Sequence, residues 1–271
     1  MTQTSRENRL MAVIGLRAAA LAGLLVLATA CGTDSGAQTA PQAGTSGKKV
    51  VAASTWEAAF AKAAGARDIT VIVPSSVAHG ADYDPKPSDL ASVASADLVL
   101  YAEFEGFAGK LKEATGSPAK MHQVNLDNSA DVVRAEIRKI AGKIGTTADA
   151  DIWLGQFDRT ITDLRGQVKQ AWAGGRPPKV AAQVFVTYAA DLAGAEVVGT
   201  YGPQPVTPGQ LSELVARKPD LVLDNTHMST GTLMPGTAAK QVKIINYPGG
   251  DHDLLGVYRT NADEIIKALR S

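Results

Sequence analysis

Four histidines, His79, His122, His227 and His252, and a single cysteine, Cys31, are the side chains of this 271-residue sequence best suited to hold a metal. A zinc ion needs roughly four nitrogen, oxygen or sulfur donors, and histidine is the natural choice when the cysteine lies elsewhere in the chain. His227, in Asp224-Asn225-Thr226-His227, and His252, which adjoins Asp253, both fall in loops that follow strand-like runs. His79 falls in the loop after the strand-like run that ends at Val73. In open α/β sheets such strand-end loops line the ligand crevice. A lone loop histidine is more often solvated or hydrogen-bonded than a ligand, so no one of the three stands by itself. Asp253 either joins them or caps the turn at Leu254-Leu255-Gly256. His122 alternates with Met121 and Gln123 in a strand and reads as structural.

Other chemistries find little support. The sequence has no G-x-S-x-G elbow, H-E-x-x-H pair or P-loop. Gly199-Thr200-Tyr201-Gly202 and Gly249-Gly250 read as turns, not as phosphate cradles. Aromatic residues make up 5% of the chain, too few for a sugar-stacking cleft, although Trp56, Tyr83, Phe104, Phe107 and Tyr201 are enough to wall a small pocket. The reading is a binding protein, not an enzyme.

The N-terminus has its own logic. Arg6, Arg9 and Arg17 precede an apolar run from Ala18 to Ala30 that stops at Cys31, the pattern of an export signal over residues 1–30. Small residues before a lone cysteine, in Leu27-Ala28-Thr29-Ala30-Cys31, resemble the lipobox of bacterial lipoproteins, so Cys31 is the expected lipidation site. The same Ala28-Thr29-Ala30 also satisfies the rule for a freely secreted protein. Residues 31–47 are rich in Gly, Ser, Thr, Ala, Gln and Pro with no large apolar side chain beyond the cysteine, which makes a flexible tether. The balance of 27 basic against 27 acidic residues becomes a net charge of about −2 once the signal departs with three basic residues and Glu7. That charge gives no electrostatic footing for nucleic acid.

Short β-branched runs then alternate with longer Ala-, Leu-, Lys- and Glu-rich segments, the rhythm of an α/β protein. Strands are expected at 49–53, 68–73, 97–101 and 121–126, and again at 179–185, 196–199, 221–224 and 243–246. Helices are expected at 56–64, 88–94 (with Ser88 as N-cap), 104–114, 208–217, 232–240 and 261–269. From Asp149 to Ala173, apolar residues including Trp153, Phe157, Ile161, Leu164, Val168 and Trp172 recur at three- and four-residue spacing without proline. One long helix, about 37 Å, follows from that run. The expected architecture is two small βα lobes, 48–148 and 177–271, joined by a connecting helix at 149–176, with a ligand cleft between the lobes.

Several motifs are more specific. Tyr83-Asp84-Pro85-Lys86-Pro87-Ser88-Asp89, followed by Ala96-Asp97-Leu98-Val99-Leu100-Tyr101, resembles the YEPxPSD and ADLVVYNG signatures of the binding proteins that serve zinc and manganese ABC importers (cluster A-I). Asp149-Ala150-Asp151-Ile152-Trp153-Leu154 resembles that family's DPHVWLDP, and Asp253-Leu254-Leu255-Gly256 with Tyr258 and Asn261 resembles its C-terminal DxLG, Tyr and Asn. The matches run in order across 48–271.

The resemblance implies two lobes that close only slightly over a metal held by three histidines and a carboxylate. Carried over residue by residue, the first histidine falls on Ala81, the second on Asp151 and the third on the Ala182-Gln183 position, and the carboxylate alone is kept, as Asp253. His79, two residues before Ala81, is the nearest substitute from the first lobe. His227 and His252 are the substitutes from the second. The implied donor set is His79, Asp151, His227, His252 and Asp253. The function implied is an exported, lipid-anchored, monomeric solute-binding protein that passes Zn²⁺ to a membrane ABC permease. Two other roles fit the same residues: capture of a metal already held by an organic chelator, which suits an under-supplied donor set, and a surface metallochaperone.

Overall fold

The computed structural model describes residues 47–271 except Ala78, His79 and Thr230. The export signal, the tether up to residue 46, Cys31 and His79 lie outside the described residues.

Eight strands form two parallel sheets. β1 (Lys49–Ala52), β2 (Asp68–Val71), β3 (Leu98–Tyr101) and β4 (Met121–Gln123) make the first, in the order β2-β1-β3-β4. β5 (Lys179–Gln183), β6 (Glu196–Tyr201), β7 (Leu221–Asn225) and β8 (Lys240–Ile244) make the second, in the order β6-β5-β7-β8. All six pairings are parallel. The sequence explains which strands are central. A parallel strand covered by helices on both faces must be apolar throughout. β3 (Leu-Val-Leu-Tyr) and β7 are buried at every residue, whereas the edge strands β2, β4 and β6 are mostly part-exposed.

Helices α1 (Thr55–Ala63), α2 (Pro87–Ala94), α3 (Ala108–Thr115) and α4 (Ala130–Ile144) clothe the first sheet; α6 (Thr187–Leu192), α7 (Pro208–Ala216) and α8 (Leu254–Arg270) follow strands of the second. Between the halves runs α5 (Thr147–Gln170), 24 residues long. Its buried residues, Ala150, Leu154, Phe157, Ile161, Leu164 and Val168, recur every three or four positions and make one apolar stripe. That stripe joins Phe60, Leu100 and Ile137 of the first half to Val180, Leu223 and Ile265 of the second in one hydrophobic core. From Thr45 onward the chain forms one compact unit. Among the described residues no helix is long and apolar enough to cross a membrane.

Some expectations are corrected. No helix forms at 232–240; that stretch is a loop from which β8 departs at Lys240, three residues earlier than expected. α8 begins at Leu254, not at residue 261, and α3 begins at Ala108, not at 104. α2 starts with Pro87 in its first turn and is capped by Lys86, not Ser88. α4 and α6 were not anticipated. The Val133, Ile137, Ile140, Ile144 spacing that builds α4 is regular in the sequence and is buried in the fold. Ile152, on the long helix, is 74% exposed.

Candidate functional site

Each sheet contains a switch point. The chain steps from β1 to β2 on one side and then crosses to β3 on the other, and β5, β6 and β7 repeat the arrangement. Ligands of open α/β sheets bind outside the carboxyl ends of the strands at such points. Here the strand-end segments of both sheets meet. The Trp56 ring, at the start of α1, lies 5.3 Å from the Tyr247 ring, just past β8. Trp56 Nε1 donates to Asn128 Oδ1 at 3.1 Å, and Asn128 Nδ2 donates to the Asn246 carbonyl at 2.6 Å. These contacts join the strand-end segments of the two halves.

His227 stands at the second switch point, in a single 3-10 turn after β7. Asn225 Oδ1 accepts its backbone N–H at 3.0 Å, and its ring stacks on Tyr247 with centroids 3.8 Å apart and planes 16° from parallel. Burial holds its pKa below the ordinary histidine value, so the ring is neutral. Its Nε2 is buried without a hydrogen-bond partner. A neutral imidazole with an unpartnered ring nitrogen is chemically able to ligate a metal or to accept a hydrogen bond.

The first switch point carries two buried carboxyls. Glu57 is 0% and Glu105 4% exposed. Ser54, which follows β1, donates its backbone N–H to Glu57 Oε2 at 3.0 Å and also its hydroxyl, closing a capping box on α1. Glu105 Oε2 accepts the Ala102 N–H at 2.9 Å. Burial raises the pKa of both, and with the Glu57 charge as a further cause it pushes Glu105 up to about 9. Glu57 Oε1 and, across the cleft, Asn246 Oδ1 are buried without partners, as is His227 Nε2. No sequence signal singled out these three polar groups as a set, because each is ordinary in type and only the topology gathers them at the strand ends.

The remaining donors named from the sequence are dispersed. Asp151 lies exposed on α5. His252 adopts φ 53° and donates its backbone N–H to the Gly249 carbonyl; burial and the nearby Lys62 ammonium lower its pKa. Asp253 occupies the N-cap position of α8 without a side-chain capping bond and faces Arg259 at 3.8 Å. Gly256 leaves room for it, since a Cβ there would stand 2.9 Å from Asp253 Oδ2. His252 and Asp253 immediately precede α8, beside Asp251, whose carbonyl accepts from Lys62 Nζ at 2.6 Å. Among the described residues no group of three or more His, Cys, Asp or Glu is placed to hold a metal. His122, read as structural, faces the buried Glu136 at 3.3 Å in the first lobe.

No family model and no curated protein sequence matches the chain. Solved structures do. The laminin-binding protein Lbp of Streptococcus pyogenes matches at 17% identity and a TM-score of 0.61, covering 82% of this chain and 99% of that one. The binding protein FpvC from Pseudomonas aeruginosa, in complex with Mn²⁺, matches at 14% identity and 0.63, covering 82% and 98%. A zinc-bound deletion mutant of ZnuA matches at 18% and 0.60, covering 83% and 99%.

This chain has their fold. The likeness extends over nearly the whole of each neighbour. The two-lobed α/β arrangement expected from the sequence is the one observed.

Proposed function

We propose that this protein is an extracytoplasmic solute-binding protein that captures a divalent transition metal, zinc foremost, and presents it to a membrane ABC permease. Binding, not turnover, is its chemistry. The observation that carries this reading is His227: a neutral imidazole, stacked in place by Tyr247, with an unpartnered buried Nε2 at the switch point of a two-lobed fold. The structural neighbours include proteins solved with Mn²⁺, Ni²⁺ and zinc, which supports a transition metal as cargo. Asn246 supplies an unpartnered oxygen at the strand ends of the second half, and His79, which follows β2 in the sequence, is a further proposed donor. His252, Asp253 and Asp151 remain proposed donors of lower rank, since among the described residues no group of three or more His, Cys, Asp or Glu is placed to hold a metal. Cys31 anchors the protein through lipid to the outer face of the membrane, with the segment after it as tether.

Calorimetric titration with Zn²⁺, Mn²⁺ and Ni²⁺ salts tests the reading. Saturable binding is expected, weakened tenfold or more in His227→Ala, since even an outer partner of a metal site can be worth about that much. Binding that His227→Ala leaves unchanged would place the metal elsewhere and defeat the assignment.

A further inference from the structure

The amino ends of the second sheet border a cavity that metal capture does not use. Its volume is about 540 Å³, and it opens where Pro178, Asp220 and Lys240 lead the chain into β5, β7 and β8, three strands that lie side by side. All pairings in that sheet are parallel, so this is the end opposite to His227, which follows the carboxyl end of β7. The five residues of β7, about 16 Å at roughly 3.3 Å each, separate the two places. The cavity is no part of the cleft.

Its walls are largely apolar. Val215 at the end of α7, Pro219 and Met234 in loops, and Leu269 in the last turn of α8 all line it. Sites for small organic molecules are built in this way, with volumes of roughly 300–1,000 Å³, apolar walls and a few placed polar groups. The charges here are unequal. Arg176, Lys218 and Lys240 stand against one carboxylate, Asp220, which leaves two positive charges in excess. Asp220 is fully engaged, since it accepts from both ends of the Arg176 guanidinium, at 3.0 and 2.9 Å, and from the Lys179 N–H at 2.7 Å. Lys240 Nζ donates to the Ala268 carbonyl at 3.0 Å, which answers the carbonyl-rich end of α8 and leaves the ammonium two further donors.

Lys218 is different. Among the described residues its backbone N–H donates to the Val215 carbonyl at 3.0 Å, but its ammonium has no partner, the one carboxylate of the cavity being taken by Arg176. It also adopts φ 49° directly before Pro219, one residue past the C-cap of α7, in a left-handed position that glycine ordinarily fills. Backbone of that kind at a non-glycine residue gathers at ligand sites.

We propose that this cavity is a second ligand site, for a small amphipathic carboxylate whose apolar body lies against Val215, Met234 and Leu269 and whose head is met by Lys218 and Lys240. The balance of charge selects that class. A neutral apolar molecule leaves the unpaired ammonium without a use, and a cation is repelled by it. An inorganic anion would meet exposed lysines in water, where ion pairs contribute little. An apolar body displaces that water, adds its own burial and strengthens the same charged contact. The proposal is independent of the metal reading, because the two sites lie at opposite ends of one strand.

Calorimetric titration with octanoate, 1-octanol and octyltrimethylammonium bromide presents one kind of apolar chain under three charges. Octanoate is expected to bind about tenfold more tightly than either of the others. Lys218→Gln, at an exposed position, is expected to remove most of that preference, and Lys218→Glu all of it, while the responses to 1-octanol and to zinc chloride stay as they were. Octanoate is also expected to shift the amide resonances of residues 215–221, 234–240 and 268–269. Octanoate that fails to bind, binds no more tightly than 1-octanol, or binds both Lys218 variants as it binds the native chain overturns the proposal. Octanoate binding that His227→Ala abolishes would put the ligand in the cleft and overturn it as well.

Discussion

At the scale of single residues, the two carboxyls at the first switch point make the sharpest prediction. Glu57 and Glu105 are raised by burial, and Glu105 is raised further by the Glu57 charge. In the unfolded chain both ionise near about 4.3. Between that value and the folded value of about 9 for Glu105, the unfolded state has released a proton that the folded state keeps, so stability falls as pH rises through this window. The slope reaches about 1.4 kcal/mol per pH unit for each such group. Glu105→Gln keeps an oxygen to accept the Ala102 N–H but carries no charge. Its urea midpoint, set against that of the native chain, is expected to gain steadily from pH 5 to pH 9. Parallel profiles for the two proteins would show that Glu105 ionises freely in the fold. The sequence gives no hint of this pair: Glu57 stands in an ordinary capping box, and only the neighbouring ends of β1 and β3 bring Glu105 close to it.

At the scale of elements, α5 and α8 decide how the halves are joined. Tyr258 on α8 packs edge-on against Phe157 of α5, with centroids 5.4 Å apart, and against Tyr188 at 5.9 Å. Its hydroxyl donates to the Asn128 carbonyl at 2.6 Å, tying the second half to the end of the first. Tyr258→Phe leaves that buried carbonyl without a donor and is expected to cost about 1–3 kcal/mol in chemical denaturation. Phe157→Ala is expected to cost about 3–5 kcal/mol, since it empties a position at the centre of the shared core. A cost under about 1 kcal/mol for Phe157→Ala would mean that the helix is not the structural joint described here. With that joint intact, small-angle scattering with and without ligand is expected to show almost no change in radius. A large closure would contradict a rigid α5.

Why some elements were legible and others were not follows from their patterning. The stripe from Leu154 to Val168 and the apolar runs of β3 and β7 read directly, because helix period and full burial each leave a plain signature. The 232–240 stretch contains Gly236, which takes φ 77°, and the local composition did not betray that backbone demand. α8 was read eight or so residues short. Asp253 is thereby the N-cap residue of α8 and not part of a longer loop.

At the scale of the whole molecule, the fold is that of two-lobed binding proteins solved with transition metals, while the donors are few and the cleft aromatic. The anchor reading makes its own forecast. Cys31→Ser is expected to move the protein from the membrane fraction to the soluble fraction with its fold unchanged; retention in the membrane would show that Cys31 is not the anchor.

The location of the metal tests the central claim most directly. Crystals soaked in zinc chloride can be measured at the zinc absorption edge for anomalous scattering. The account predicts one principal peak roughly 2.0–2.1 Å from His227 Nε2, in the cleft bordered by Trp56 and Tyr247. A principal peak beside His252 and Asp253 at the start of α8, or no peak in a crystal of folded protein soaked in zinc chloride, would contradict it.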